Sequence, residues 1–185
     1  MPLDAHALLS AYCTPETVEV LMIHGRMIAE KAAGIVQRLG LDAETARLVE
    51  EAAYLHDIGV CRVYAPGIGC HGVDPYITHG VAGGLILEQE GLPLHARICE
   101  RHTGVGLTAE DIRRQHLPLP ERDMVPISQA EKIICYSDLF FSKQRGRLEE
   151  ERTPAAIRRS LSGFGEDKVA IFDRWYAAFE GVDHA

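Results

Sequence analysis

The chain has 185 residues, 46% of them hydrophobic and 25% charged, with a formal net charge of −8. That length and mixture predict one globular domain with a sizeable core. The acidic balance excludes broad binding to nucleic acid polymers, which needs a basic face, but it leaves room for a small anionic substrate in a locally positive pocket.

The N-terminal stretch MPLDAHALLSAYC lacks the basic start and apolar run of a signal peptide. No segment approaches the roughly 18 apolar residues of a membrane span. Cys13, Cys61, Cys70, Cys99 and Cys135 are odd in number and form no CxxC pair, a pattern of neither a disulfide framework nor a zinc ribbon. A cytoplasmic protein is expected.

A long helix is predicted over Pro15–Leu39, with Thr14 as its N-cap, Pro15 at its first position and Gly40 as its stop. A second is predicted from Asp42 to Asp57, closed by Gly59 in a left-handed cap. The loop CRVYAPGIGCHGVDPY is rich in Gly and Pro, and loops of that length are often functional. Further helices are expected near 78–90, 94–102, 108–116, 126–143, 153–162 and 165–180. Strand alternation and internal repeats are absent from the sequence, so the expected fold is all-α: a single domain over residues 1–185, its helical core spanning about 15–145 and a C-terminal helical extension following over about 146–185.

Several ionisable residues fall on apolar helix faces. Val49, Ala52, Ala53 and His56 follow i, i+3, i+4, i+7 spacing, with Asp57 at the edge of that stripe. His24 sits among Val20, Leu21, Met27 and Ile28. In ISQAEKIICYSDLFF, Asp138 is level with Ile134, Cys135 and Phe141. One buried histidine is usually a hydrogen-bonded core residue. Three separate helices each aiming an ionisable group inward point instead to a metal, because an unpaired buried carboxylate costs several kcal/mol. His79 and His102 follow His56 at equal intervals of 23 residues. Four imidazoles and two carboxylates can hold two divalent ions with Asp57 as the bridge, leaving a surplus charge of about +2 that favours hydroxide and a phosphate oxygen. Adjacent helical residues point about 100° apart, but at a helix end His56 and Asp57 can converge on one ion.

The ordered set His24, His56-Asp57 within HDIG, His79, His102 and Asp138 resembles the HD superfamily of metal-dependent phosphohydrolases over roughly residues 15–145. His79 and His102 match its two-metal branch. Small stand-alone HDIG proteins and bacterial HD-type diadenosine tetraphosphate hydrolases are similar, the latter in THG before a helix and in EKII followed by Asp. The resemblance implies an HD-domain helical bundle that binds two divalent ions, iron or manganese foremost, with zinc, magnesium, nickel and cobalt compatible. Its substrate would be a nucleotide, a dinucleoside polyphosphate or another small phosphoester. The same ligands serve mixed-valence diiron oxygenases resembling myo-inositol oxygenase, which form the main alternative. A non-catalytic nucleotide-binding or signalling module is a weaker one, since no ligand is missing.

Asp57 is the expected catalytic bridge. Lys132 and Arg101 are candidate phosphate-binding cations, with Lys132 also adding catalytic electrostatic clamping; solvated surface charge is the competing reading for both. Thr103 with Gly104 can offer a hydroxyl and an N–H to phosphate, or simply stop a helix. His71 is read as a lid residue, a proton donor or plain loop. His6, His95, His116 and His184 are assigned to surface or tail. Phe172, Trp175, Tyr176 and Phe179 form a stripe at helical spacing, expected to pack in the core or at a homodimer contact.

Overall fold

The computed structural model describes residues 3–181. Nine α-helices occur among them: α1 (Ala5–Tyr12), α2 (Pro15–Leu39), α3 (Ala43–Leu55), α4 (His79–Gln89), α5 (Pro93–Arg101), α6 (Ala109–Arg114), α7 (Gln129–Asp138), α8 (Pro154–Ser162) and α9 (Glu166–Glu180). None is long and apolar enough to cross a membrane. The all-α expectation is met.

Local chemistry sets the helix ends. Thr14 accepts a hydrogen bond from the Thr17 N–H, and Gly40 turns left-handed at φ 60° to close α2. Along α2 the buried residues Val18, Leu21, Gly25, Ile28, Ala32 and Ile35 recur every three or four positions, which is the stripe a helix presents to a core. His24 lies beside that stripe, also buried.

Two apolar clusters make up the core. One joins Ile28, Ala32 and Ile35 of α2 to Ala52 and Ala53 of α3, Ile133 and Tyr136 of α7, Ile157 of α8, and Phe172 and Phe179 of α9. The other joins Leu9 of α1, Leu21 of α2, Leu55 of α3, Leu87 of α4 and Cys99 of α5. The last two helices thus share a core with α2, α3 and α7. In the aromatic stripe, Phe172 and Phe179 are buried while Trp175 and Tyr176 pack beside them.

The departures from expectation have local causes. α1 was not anticipated; it is capped by Asp4 and anchored by the fully buried Leu9. A short antiparallel pair, β1 (Tyr64–Ala65) with β2 (Cys70–His71), folds the Gly/Pro loop back on itself, and two-residue strands are too short to show alternation. α3 stops at Leu55, and Gly59 is not left-handed; it lies in a 3₁₀ turn spanning Ile58–Arg62. Its lack of a side chain has another use. A Cβ there would come within 2.0 Å of the His79 carbonyl oxygen, and one on Gly83 within 2.4 Å of Cys99 Sγ. Glycine at both positions lets α4 press backbone-close on its neighbours. α7 begins after Ser128 and ends at Asp138, not at 143. His95, expected at the surface, is buried with Nε2 3.0 Å from Glu51 Oε2 of α3. His6 and His116 are exposed, and His184 lies outside the described residues.

Among the polar ties that fasten the last helix to the bundle, one is buried at both partners. Lys168 of α9 and Asp111 of α6 are both buried and form a salt bridge, and Arg114 donates to the same carboxylate at 3.2 Å. Burial would raise the Asp111 pKa, but the Lys168 ammonium and the Thr108 N–H outweigh it and hold the carboxyl below its ordinary value. A group depressed on folding adds stability above its unfolded pKa, about 3.9 for Asp, and loses it as pH falls through the folded value. Lys168→Met should therefore cost about 3 kcal/mol at pH 7. That gap from wild type should begin to narrow below about pH 4 and close as pH falls through the lower folded value, in denaturant unfolding followed across pH; a gap independent of pH would contradict the assignment.

Candidate metal centre

Three histidines meet the centre at helix ends. His56 caps α3 while still in helical conformation, and Asp57 then leaves the helix at φ −108°, ψ 7°. That break overrides the 100° offset of neighbouring helical positions and brings His56 Nε2 to 3.0 Å from Asp57 Oδ2. His79 opens α4 after a 3₁₀ turn at Tyr76–Thr78, and His102 caps α5. His24 enters from the middle of α2 and Asp138 from the last residue of α7. These entry points lie where the two apolar clusters meet: Leu21 and Ile28 flank His24, and Ala53 and Leu55 precede His56, one from each cluster.

A repeated local device orients the rings. Nδ1 of His56, His79 and His102 lies 2.9, 2.7 and 2.6 Å from the carbonyl oxygens of Ala53, Tyr76 and Cys99, each three residues earlier. A carbonyl only accepts, so each Nδ1 carries the proton and donates it, leaving Nε2 to face the centre. His79 Nε2 and His102 Nε2 are 3.1 Å apart, and each lies 3.4 Å from Asp57 Oδ1. Two imidazole lone pairs brought that close repel unless a cation lies between them.

The six residues form two groups sharing one carboxylate. His24, His56, Asp57 and Asp138 make the first, and Asp57, His79 and His102 the second. His24 Nε2 is 3.4 Å from Asp57 Oδ2 and 3.0 Å from Asp138 Oδ1. Asp57 thus turns Oδ2 to one group and Oδ1 to the other. His24 Nδ1, His56 Nε2 and both Asp57 oxygens are buried without a properly aligned hydrogen-bond partner. Such atoms are costly in a core, and ring nitrogens with carboxylates are a donor set suited to divalent transition metals. The residues fit a divalent metal ion.

The field of the centre favours cations. Burial alone would raise the Asp57 and Asp138 pKa values, but nearby positive groups, His56 and Lys143 chief among them, hold both carboxyls well below the usual range. Burial would likewise lower His56, yet Asp57 and Asp138 push it up to about 10, a demand for positive charge that a proton or a metal ion answers. His79 is pulled down to about 4 by burial and by His102.

The sequence-derived cations are placed differently. Arg101 donates to Glu131 at 3.0 Å, and Glu131 also accepts from the Ile127 N–H, so this charge fastens α5 to the start of α7. Lys132 is half-buried on α7 and does not line the cleft beside the centre. Thr103 follows His102 into the wall of a separate apolar cavity of about 260 Å³ with Ile77, Leu107 and Leu161. His71 is exposed on β2.

The cation that does reach the centre is Lys143. Its Nζ lies 2.8 Å from Asp57 Oδ2, and burial is outweighed by Asp57 in holding its pKa well above the ordinary value. It lines a cleft of about 730 Å³, together with Asp138, Tyr76, Phe141, Arg145 and Arg147. The Tyr76 ring leans on His79 at 4.7 Å between centroids. Sequence reasoning missed Lys143 by continuing α7 through it. Its nearness to Asp138 in the chain was the available signal, but helical periodicity concealed it.

A family model described as the HD domain matches residues 21–141. The uncharacterized protein MJ0778 of Methanocaldococcus jannaschii is 33% identical over 149 residues, covering 79% of each chain. A tRNA (cytidine(56)-2'-O)-methyltransferase of Picrophilus torridus is 38% identical over 100 residues, which is 54% of this chain and 26% of that protein. Among solved structures, the HD domain of the L. monocytogenes phosphodiesterase PgpH matches at TM-score 0.54 and 20% identity, over 98% of this chain and 99% of that one. Its complex with cyclic-di-AMP matches at TM-score 0.52 and 20% identity, over 98% and 97% of the two chains; at this identity both likenesses bear on the fold. The family match runs through all six convergent residues, from His24 to Asp138, and the chain belongs to the HD domain family.

Proposed function

We propose that the protein is a metal-dependent phosphohydrolase with a two-metal centre, acting on a nucleotide or another small phosphoester. The observation that carries this reading is Asp57: one buried carboxylate with each oxygen turned to a separate set of histidines. His24, His56, Asp57 and Asp138 would hold one ion, and Asp57, His79 and His102 the other. Such ions, when bound, supply a nucleophile at neutral pH and positive charge for the oxygens of a phosphoryl group.

The chain's own residues do the rest. The three carbonyl-tethered imidazoles keep Nε2 aimed inward with no reorganisation at the moment of reaction. Asp57 fixes the spacing of the two groups. Asp138 also lines the cleft, and so opens the centre to a ligand from that side. In this reading Arg101 is a positioning residue acting through Glu131, while Lys132 and Thr103 are not assigned to the substrate.

His56→Ala or Asp57→Ala should abolish tight metal binding, measured by elemental analysis of protein purified without added metal; unchanged metal content in both would overturn the centre. Wild-type protein given Mn²⁺ at about 100 times its Kd should gain about 2.7 kcal/mol of stability, and a chelator shown to strip the metal should reverse the shift in Tm. The double variant His79→Ala/His102→Ala should keep the fold, retain about one ion per chain and lose about 10³-fold or more in hydrolysis. Reaction in H₂¹⁸O tests the class: one solvent oxygen should enter the phosphorus-containing product. Oxygen uptake with a small polar organic substrate, and no hydrolysis across a phosphoester panel, would move the assignment to the diiron oxygenases.

A further inference from the structure

The cleft has a basic wall of its own. Ser142-Lys143-Gln144-Arg145-Gly146-Arg147 carries three cations and no acid in a chain of net charge −8. All three cations line the cleft that opens beside Asp138. Lys143 is the innermost, with Nζ 2.8 Å from Asp57 Oδ2 and its side chain only 15% exposed. Tyr76 lines the same cleft, its ring 4.7 Å from that of His79.

The outer two cations are held loosely. Arg145 meets Glu16 at 2.6 Å and Arg147 meets Glu150 at 2.6 Å, with all four side chains about half-exposed or more. Exposed pairs of this kind contribute little, so an anion entering the cleft can take over the guanidinium groups at small cost. Arg152, in contrast, is committed to the carbonyls of Leu139 and Ala156, where it secures the segment. Gln144–Arg147 is a turn closed by the Arg147 N–H donating to the Gln144 carbonyl, and it holds the cations at separate acids: Lys143 at the buried Asp57, Arg145 at Glu16 and Arg147 at Glu150, both more than half-exposed. A phosphate seated at the buried centre meets Lys143 and leaves the two outer guanidinium groups for a second.

Resting on the hydrolase reading, we propose that Lys143, Arg145 and Arg147 form a phosphate-reading strip: Lys143 clamps the phosphate that is cleaved, and Arg145 with Arg147 holds a second. The substrate class is then a phosphoester bearing at least two phosphate groups. In the reaction, water oxygen forms a bond to phosphorus as the ester P–O bond breaks, and the departing oxygen takes up a proton that water supplies. Lys143 donates hydrogen bonds to the phosphoryl oxygens and is not consumed. Its charge has a second effect, because an ammonium beside Asp57 Oδ2 opposes a divalent ion at the same carboxylate.

Calorimetric titration of the metal-loaded full chain with adenosine 3′,5′-bisphosphate and adenosine 5′-monophosphate tests the strip. Wild type should prefer the bisphosphate by about tenfold or more, and R145A/R147A should lose that preference. K143M should weaken both ligands and bind Mn²⁺ about tenfold more tightly, a gain that general damage to the fold would not produce. K143R should restore ligand binding. Equal affinity of wild type for the two ligands, a preference that survives in R145A/R147A, or Mn²⁺ binding unchanged in K143M would overturn the proposal. Release of inorganic phosphate from adenosine 3′,5′-bisphosphate, the two-phosphate ligand itself, by the metal-loaded wild type is read separately. Its absence, with the bisphosphate preference intact, would overturn the hydrolase reading and still support a two-phosphate strip.

Discussion

A buried carboxylate without a properly aligned hydrogen-bond partner is the constraint on which the rest of this structure turns. Asp57 lies at the centre of a helical core with neither oxygen in a well-aligned hydrogen bond, and desolvation of such a group opposes folding. Four imidazoles, a second carboxylate and a lysine surround it. The fold serves that arrangement. α3 breaks where it does so that His56 and Asp57 can converge, and α4 comes close over Gly59 and Gly83 so that His79 can approach from the other side.

The parts legible in the sequence were those governed by periodicity. Val49, Ala52, Ala53 and His56 share a face whatever the tertiary context, so an inward-facing histidine could be recognised, and the spacing of the later histidines completed the set. α2 could be bounded closely because Thr14, Pro15 and Gly40 each have a defined cap chemistry. The features that escaped depend on backbone that leaves the helix. Lys143 reaches Asp57 only because α7 stops at Asp138. Arg101 looked available for phosphate because its partner Glu131 is thirty residues away in sequence. Gly59 was read as a cap when its function is to leave room for the His79 carbonyl.

The centre also joins the two apolar clusters, whose residues alternate around His24 and His56. Ligands on α2, α3, α4, α5 and α7 tie both clusters to one point. A metal held there would couple their stabilities, since the unfolded chain has no preformed site. Local and global demands meet in the imidazoles: each of three is aimed by a carbonyl of its own helical turn, while the helices themselves are placed by apolar packing.

The contact between His24 and Asp138 joins residues 114 positions apart. During synthesis, which adds about 5–20 residues each second, the first four-residue ligand group cannot close until α7 has emerged from the ribosome. His56, Asp57, His79 and His102 emerge well before that. The second group can therefore assemble on a shorter chain, while the first must await α7. Metal capture would then be ordered in time by the direction of translation, with the three-residue group offering the earlier foothold and the four-residue group recording that α7 has docked on α2 and α3.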